Sequence, residues 1–129
     1  MGAFNSNGYL AGDVVIPEGV TNMKQGVVYS PSLVKTLKFP QTLTSIGDDC
    51  FYCNGEGLYN VSSITLPKFC TSIGSNAFRK FGRNTSECQL DIEALNSFNI
   101  KSNCFYTSAI SLLNFTSSKT DGFRLILNE

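Results

Sequence analysis

LKFPQTLTSIGDDCF (residues 37–51) and ITLPKFCTSIGSNAF (64–78) are two copies of one segment, the second shifted by 27 from the first, sharing the proline, the TSIG run and the final phenylalanine. A repeat of this period constrains a fold strongly, because each copy is one supersecondary unit that buries its apolar face only by stacking on its neighbour. The same shift applied once more carries Ile46 and Ile73 onto Ile100, and Phe51 and Phe78 onto Phe105; moving back by 23 reaches Met23 and Val28. Four turns share the template.

A second template, apolar-x-x-apolar-x-apolar, precedes each copy. It reads Ala11/Val14/Ile16, Val34/Leu37/Phe39, Val61/Ile64/Leu66, an imperfect Leu90/Ile92, and Ile110/Leu113/Phe115. Its last two positions alternate with period two, the mark of a short strand with one buried face. The five rungs advance along the chain in steps of 23, 27, 26 and 23. Those steps are too long for hairpins and suit one coil of a solenoid, so the rungs must pair in parallel.

The columns have physical roles. Met23, Ile46, Ile73 and Ile100 form one bulky apolar column and Val28, Phe51, Phe78 and Phe105 another; both are expected inside, at about 1.5–3 kcal/mol per side chain removed from water. Pro17, Pro40 and Pro67 follow the strands, where a missing N–H is harmless and a fixed φ helps turn the chain. The column Gly26, Asp49, Asn76, Asn103 holds the residue types that best tolerate left-handed backbone, which predicts a tight bend.

The five cysteines fit the same grid. Cys50 shares a column with Val27, Ala77 and Cys104, a place for a small buried side chain. Strands stack about 4.8 Å apart, so Cys50 and Cys104, two coils apart, lie beyond the roughly 7 Å reach of a disulfide. Cys53 is matched by Lys80 and Thr107, so repetition builds no second pair. A redox or zinc reading of Cys50 and Cys53 lacks its usual setting and partners. Cys70 and Cys88 complete an odd set, which argues against a full disulfide framework and leaves one bridge possible.

Histidine is absent, removing the commonest general base and every Ser-His or Cys-His arrangement. The acids are scattered; only Asp48 and Asp49 adjoin, and neighbours on an extended chain face opposite ways. No enzyme activity, cofactor or metal is expected. Ten basic residues balance ten acidic ones, so no net field points to nucleic acid or an anionic membrane. The amino terminus lacks a signal-peptide pattern and no stretch approaches the roughly 18 apolar residues of a membrane span. Arg79, Lys80 and Arg83 form a small basic run read as a solvated loop, since stacking aromatics and a wider basic stripe are not seen beside it. Asn60, Asn84 and Asn114 begin glycan-acceptor triplets, a pattern that a chain rich in Asn, Ser and Thr meets by chance.

The run ITLPKFCTSIGSNAF, with LKFPQTLTSIGDDCFYC beside it, resembles the BspA-type leucine-rich repeat, an I-x-(I/L)-P strand followed by S-I-G-x-x-A-F-x-x-C. The resemblance spans about residues 11–115 and places Cys53 at the family's cysteine. Glu93 replaces the proline, and KSNCF (101–105) lacks the glycine. It implies a mainly β, right-handed leucine-rich-repeat solenoid of about five coils, with a short parallel sheet and an irregular or 3-10 convex side. Residues 1–10 would form an N-terminal cap, 11–115 the solenoid, and 116–129 a C-terminal capping strand; Phe4, Tyr9 and Leu10 would cover the first coil. FRLIL (123–127) follows Phe115 too closely to complete another coil and reads as a closing strand or a surface for another chain.

The family also implies recognition without catalysis, by surface proteins of host-associated bacteria and some protozoa, with related repeats in phage-encoded proteins. A protein-protein interaction or adhesion module at the cell surface or outside the cell is therefore expected, with a host surface protein as partner and without membrane insertion. The alternative is a structural subunit of a virion, a tail or capsid component meeting neighbouring copies through its solenoid edges, a reading the missing export signal favours. A thiol enzyme using Cys50 and Cys53 is a distant third. If the apolar strand positions point inward, their alternates form two outward rows: Asp13, Thr36, Ser63, Gln89, Leu112 and Val15, Lys38, Thr65, Asp91, Asn114. This strip is the expected partner-binding face.

Overall fold

The computed structural model describes residues 11–24, 30–53, 55–93, 98–106, 108–115 and 125–127. Longer strands β1 (Gly12–Val15), β3 (Val34–Lys38), β5 (Ser63–Leu66), β7 (Gln89–Ile92) and β9 (Leu112–Phe115) alternate with short strands β2 (Asn22–Met23), β4 (Ser45–Ile46), β6 (Ser72–Ile73), β8 (Phe98–Ile100) and β10 (Leu125–Leu127). Every ladder is parallel. One 3-10 turn, Pro31–Leu33, precedes β3. The mainly β parallel solenoid expected from the repeats is the fold observed.

Its winding differs in three respects. The long strands do not form one five-rung sheet: β1 pairs with β3, and β5, β7 and β9 pair separately, so regular winding amounts to about 3 turns rather than five. The side expected to be irregular carries its own sheet, in the order β10, β8, β6, β4, β2. Extended TSI segments leave backbone groups that need partners, and the adjacent coil supplies them: Thr44 N–H donates to Thr21 O (2.7 Å), Thr71 N–H to Thr44 O (2.9 Å) and Asn99 N–H to Thr71 O (2.8 Å). FRLIL is not too early for a coil, because Leu127 lies opposite Ile100, repeating the offset. The imperfect fourth rung is regular as well, β7 pairing residue by residue with β5 and β9; exposed Glu87 stands where Val61 stands one coil earlier, and the next residue, Cys88, is buried.

The two columns fill the space between these sheets. Met23, Ile46, Ile73 and Ile100 are all buried. Phe51 and Phe78 stack at 5.2 Å and Phe78 and Phe105 at 5.5 Å, their planes 20° and 6° apart. Phe39 reaches in from the strand side, 5.8 Å from Phe51 and 6.4 Å from Phe78. Pro17, Pro40 and Pro67 each open a turn that leads to the second sheet, their carbonyls accepting from the N–H of Val20, Leu43 and Cys70. Asp49, Asn76 and Asn103 have φ of 53°, 60° and 58°, the left-handed bend expected from their column. Gly74 is required by close approach, since a Cβ there would collide with Asp48 N, whose own carboxylate accepts from Ser75 N–H at 2.8 Å. Gly26, Val27, Val28, Phe4, Tyr9 and Leu10 lie outside the described residues.

Candidate interaction surfaces

The rows expected to face outward are brought into register by the ladders. Asp13 lies opposite Thr36 and Val15 opposite Lys38. Ser63, Gln89 and Leu112 align across the other sheet, as do Thr65, Asp91 and Asn114. Asp13, Val15, Thr36, Lys38, Ser63, Thr65 and Leu112 are exposed, whereas Gln89 and Asp91 are half-buried. Within the first row Thr36 Oγ1 donates to Asp13 Oδ1 at 2.8 Å, and between the rows Gln89 Nε2 donates to the Asp91 carboxylate at 3.0 and 3.1 Å.

The face is nevertheless not continuous. Where β3 and β5 fail to pair, a cleft of about 380 Å³ opens. Buried Leu37, Phe39 and Pro67 line it together with exposed Lys38, Gln41, Ser63 and Thr65 and half-buried Glu93. The break coincides with a change of connection. A 3-10 turn leads into β3, while residues 55–60 precede β5 and are pinned to that 3-10 turn by Asn60 Nδ2 donating to Ser32 O at 2.8 Å and by Ser32 Oγ donating to Glu56. Glu93, in the place of the family's proline, keeps an N–H that donates to Leu66 O at 3.0 Å and puts a carboxylate at the cleft. The cleft is illegible in sequence spacing, which assumes that every rung meets the next.

The basic run is not a bare solvated loop. Arg79 is held between two tyrosine rings, its guanidinium carbon 5.0 Å from the Tyr52 centroid and 4.8 Å from that of Tyr106. Lys80 Nζ lies 5.7 Å from the Tyr52 ring and the Arg83 guanidinium 6.0 Å from that of Tyr59. The expectation that stacking aromatics are lacking is corrected here: they arrive from adjacent coils. The signal was present as the column Tyr52, Arg79, Tyr106, each separated from the next by the repeat offset of 27.

The cysteine column behaves as a packing column. All five thiols are free, and Cys50, Cys70, Cys88 and Cys104 are buried while Cys53 is half-buried. Burial pushes Cys50 and Cys104 up to about 12 and Cys70 and Cys88 up to about 11, which keeps them protonated and poorly nucleophilic at neutral pH. No cluster of three or more potential metal ligands occurs among the described residues.

A stack of parallel coils with an I-x-L-P strand, a TSIG strand and an asparagine bend is thus present in the molecule, and the model of the BspA type leucine rich repeat region matches residues 2–122 in 6 copies. The chain belongs to the BspA-type leucine-rich repeat family. The BspA-type match extends beyond residues 11–115 at both ends. No curated protein and no solved structure matches the chain. BspA-type solenoids generally mediate protein-protein interaction, are typically non-catalytic and are often surface-associated. No helix among the described residues is long and apolar enough to cross a membrane.

Proposed function

We propose that this BspA-type solenoid is a non-catalytic recognition module that binds a protein partner through its long-strand face, in adhesion at a cell surface. The observation that carries this reading is the cleft between β3 and β5, because it gives the exposed strip an apolar floor beneath a polar rim. A partner side chain seated there gains apolar burial from Leu37, Phe39 and Pro67, while Lys38, Thr65 and Glu93 supply charged and hydrogen-bonding groups at the rim. Stacked repeats extend such a face without requiring a deep pocket.

A photo-crosslinker attached at Ser63, incubated with a host surface-protein fraction, should yield a discrete adduct that the same label at Thr44, on the opposite sheet, does not give. Lys38→Glu with Thr65→Glu should abolish the adduct and leave the thermal midpoint within about 2 °C, as exposed substitutions away from core packing do. An adduct that persists in the double variant removes this face from consideration. The second reading, a structural subunit such as a virion component, is supported by β1 and β9 ending their ladders among the described residues. Light scattering separates the two, a stable monomer fitting recognition and defined oligomers or filaments fitting assembly.

A further inference from the structure

The coils are unequal: the step from Val14 to Leu37 is 23, from Leu37 to Ile64 27, from Ile64 to Leu90 26 and from Leu90 to Leu113 again 23. The additional residues of the two long coils lie in the connections after Phe51 and Phe78, and insertions gathered on one side of a repeat stack commonly mark a binding edge. Those connections are fastened to each other. Gly57 packs so closely that a Cβ would collide with Arg79 O, Gly82 N–H donates to Leu58 O at 2.9 Å, Asn84 N–H to Tyr59 O at 2.8 Å, and Asn84 Nδ2 to Asn60 Oδ1 at 3.1 Å. Lys80 Nζ and Tyr59 OH both donate to Gly55 O, at 2.9 and 2.8 Å.

This edge concentrates Arg79, Lys80 and Arg83 in a chain of zero net charge, and none of the three forms an ion pair with a described residue. Arg79 Nε is buried without a hydrogen-bond partner, and the guanidinium lies between the Tyr52 and Tyr106 rings. Beside it an open pocket of about 310 Å³ is lined by Tyr59, Arg83 and Asn84, and Tyr106 is 52% exposed. Cations without an ion pair among the described residues, an accessible aromatic ring and amide groups are the combination that an acidic sugar meets: cations for its anions, amides for its hydroxyls, a ring face for its apolar C–H surface. Duplex nucleic acid, with one charge per about 1.7 Å, calls for a longer basic stripe than three cations along one loop edge.

We propose that the loop edge built from Tyr52, Tyr59, Arg79, Lys80, Arg83 and Tyr106 is a second binding site, separate from the long-strand face, and that its ligand is an acidic oligosaccharide. Calorimetric titration of the full chain at low salt with a sulfated oligosaccharide and with an oligouronate tests it. At least one should bind, more weakly as salt rises, and the two titrations tell sulfate from carboxylate recognition. Lys80→Gln with Arg83→Gln should weaken that binding by about tenfold or more, while Lys35→Gln with Lys38→Gln leaves it unchanged. Saturating oligosaccharide should also protect Lys80, and not Lys35 or Lys38, from acetylation in the wild-type chain, a readout that needs no variant to fold. The proposal is overturned if neither saccharide binds, if both double variants lose affinity equally, if Lys80 is unprotected, or if single-stranded DNA of equal length binds more tightly than either saccharide.

Discussion

The two sheets of this solenoid are built from the same coils, yet one runs unbroken through five strands of two or three residues and the other, with strands of four or five, divides into two. Strand length therefore does not decide continuity. What differs is the segment that precedes each strand. From Phe39 to Ile46 and from Leu66 to Ile73 the chain makes the same fixed step through a proline turn, so successive short strands arrive in the same place. Into the long strands the chain arrives through connections that change from a 3-10 turn before β3 to residues 55–60 before β5, and there the ladder fails. The ladder opens between β3 and β5, where that connection changes, but a changed path is not sufficient by itself: Ile92 to Ile100 takes 8 residues without a proline and β8 still pairs with β6.

Truncation should expose this contrast most strongly. Ile73 is fully buried in the unbroken sheet, and Ile73→Ala should cost about 3–5 kcal/mol, while Leu37→Ala, beside the existing cleft, should fall nearer about 2 kcal/mol. Equal shifts in urea midpoint would mean that the cleft is as tightly packed as the interior. Gly74→Ala forces a Cβ onto the Asp48 backbone and should cost about 1–3 kcal/mol by the same measurement; a neutral result would show that adjacent coils can part at the TSIG turn.

Alkaline pH should act next, and through the interior. Cys50, Cys70, Cys88 and Cys104 keep their protons in the folded chain up to about pH 11 to 12, whereas the unfolded chain releases them near 9.0. Stability from these thiols is complete below pH 9 and falls as pH rises from there towards 12, by up to about 1.4 kcal/mol per pH unit for each thiol. Replacing Cys50 and Cys104 with alanine should flatten a plot of thermal midpoint against pH in that window; an unchanged slope would reject the linkage. The smallest effect should appear in hydrogen exchange, where amides on the unpaired β3 and β5 edges should exchange about tenfold faster than those of β4 and β6. Uniform protection would close the gap between the sheets.

Much of the architecture was open to reading because repetition converts sequence offsets into neighbours. The offset of 27 foretold that Phe51, Phe78 and Phe105 would stack, that Asp49, Asn76 and Asn103 would bend the chain, and that Cys50 would pack in the Ala77 column. The same offset would have disclosed the tyrosines around Arg79 had it been applied to polar positions as well as apolar ones. The place of the sheet break was hidden for a different reason. Residues 55–60 have no counterpart of equal length in the preceding coil, so no column predicts where they lie.

The sequence by itself determined the repeat, the parallel stacking, the buried columns and the left-handed bends, since each depends on local chemistry recurring at a fixed interval. Only the tertiary structure decided that the long-strand face opens between β3 and β5, and that the two extended connections fasten to each other and set Arg83 beside the Tyr59 ring. Both depend on how segments of unequal length settle against coils already stacked, a matter of packing geometry that no single period contains.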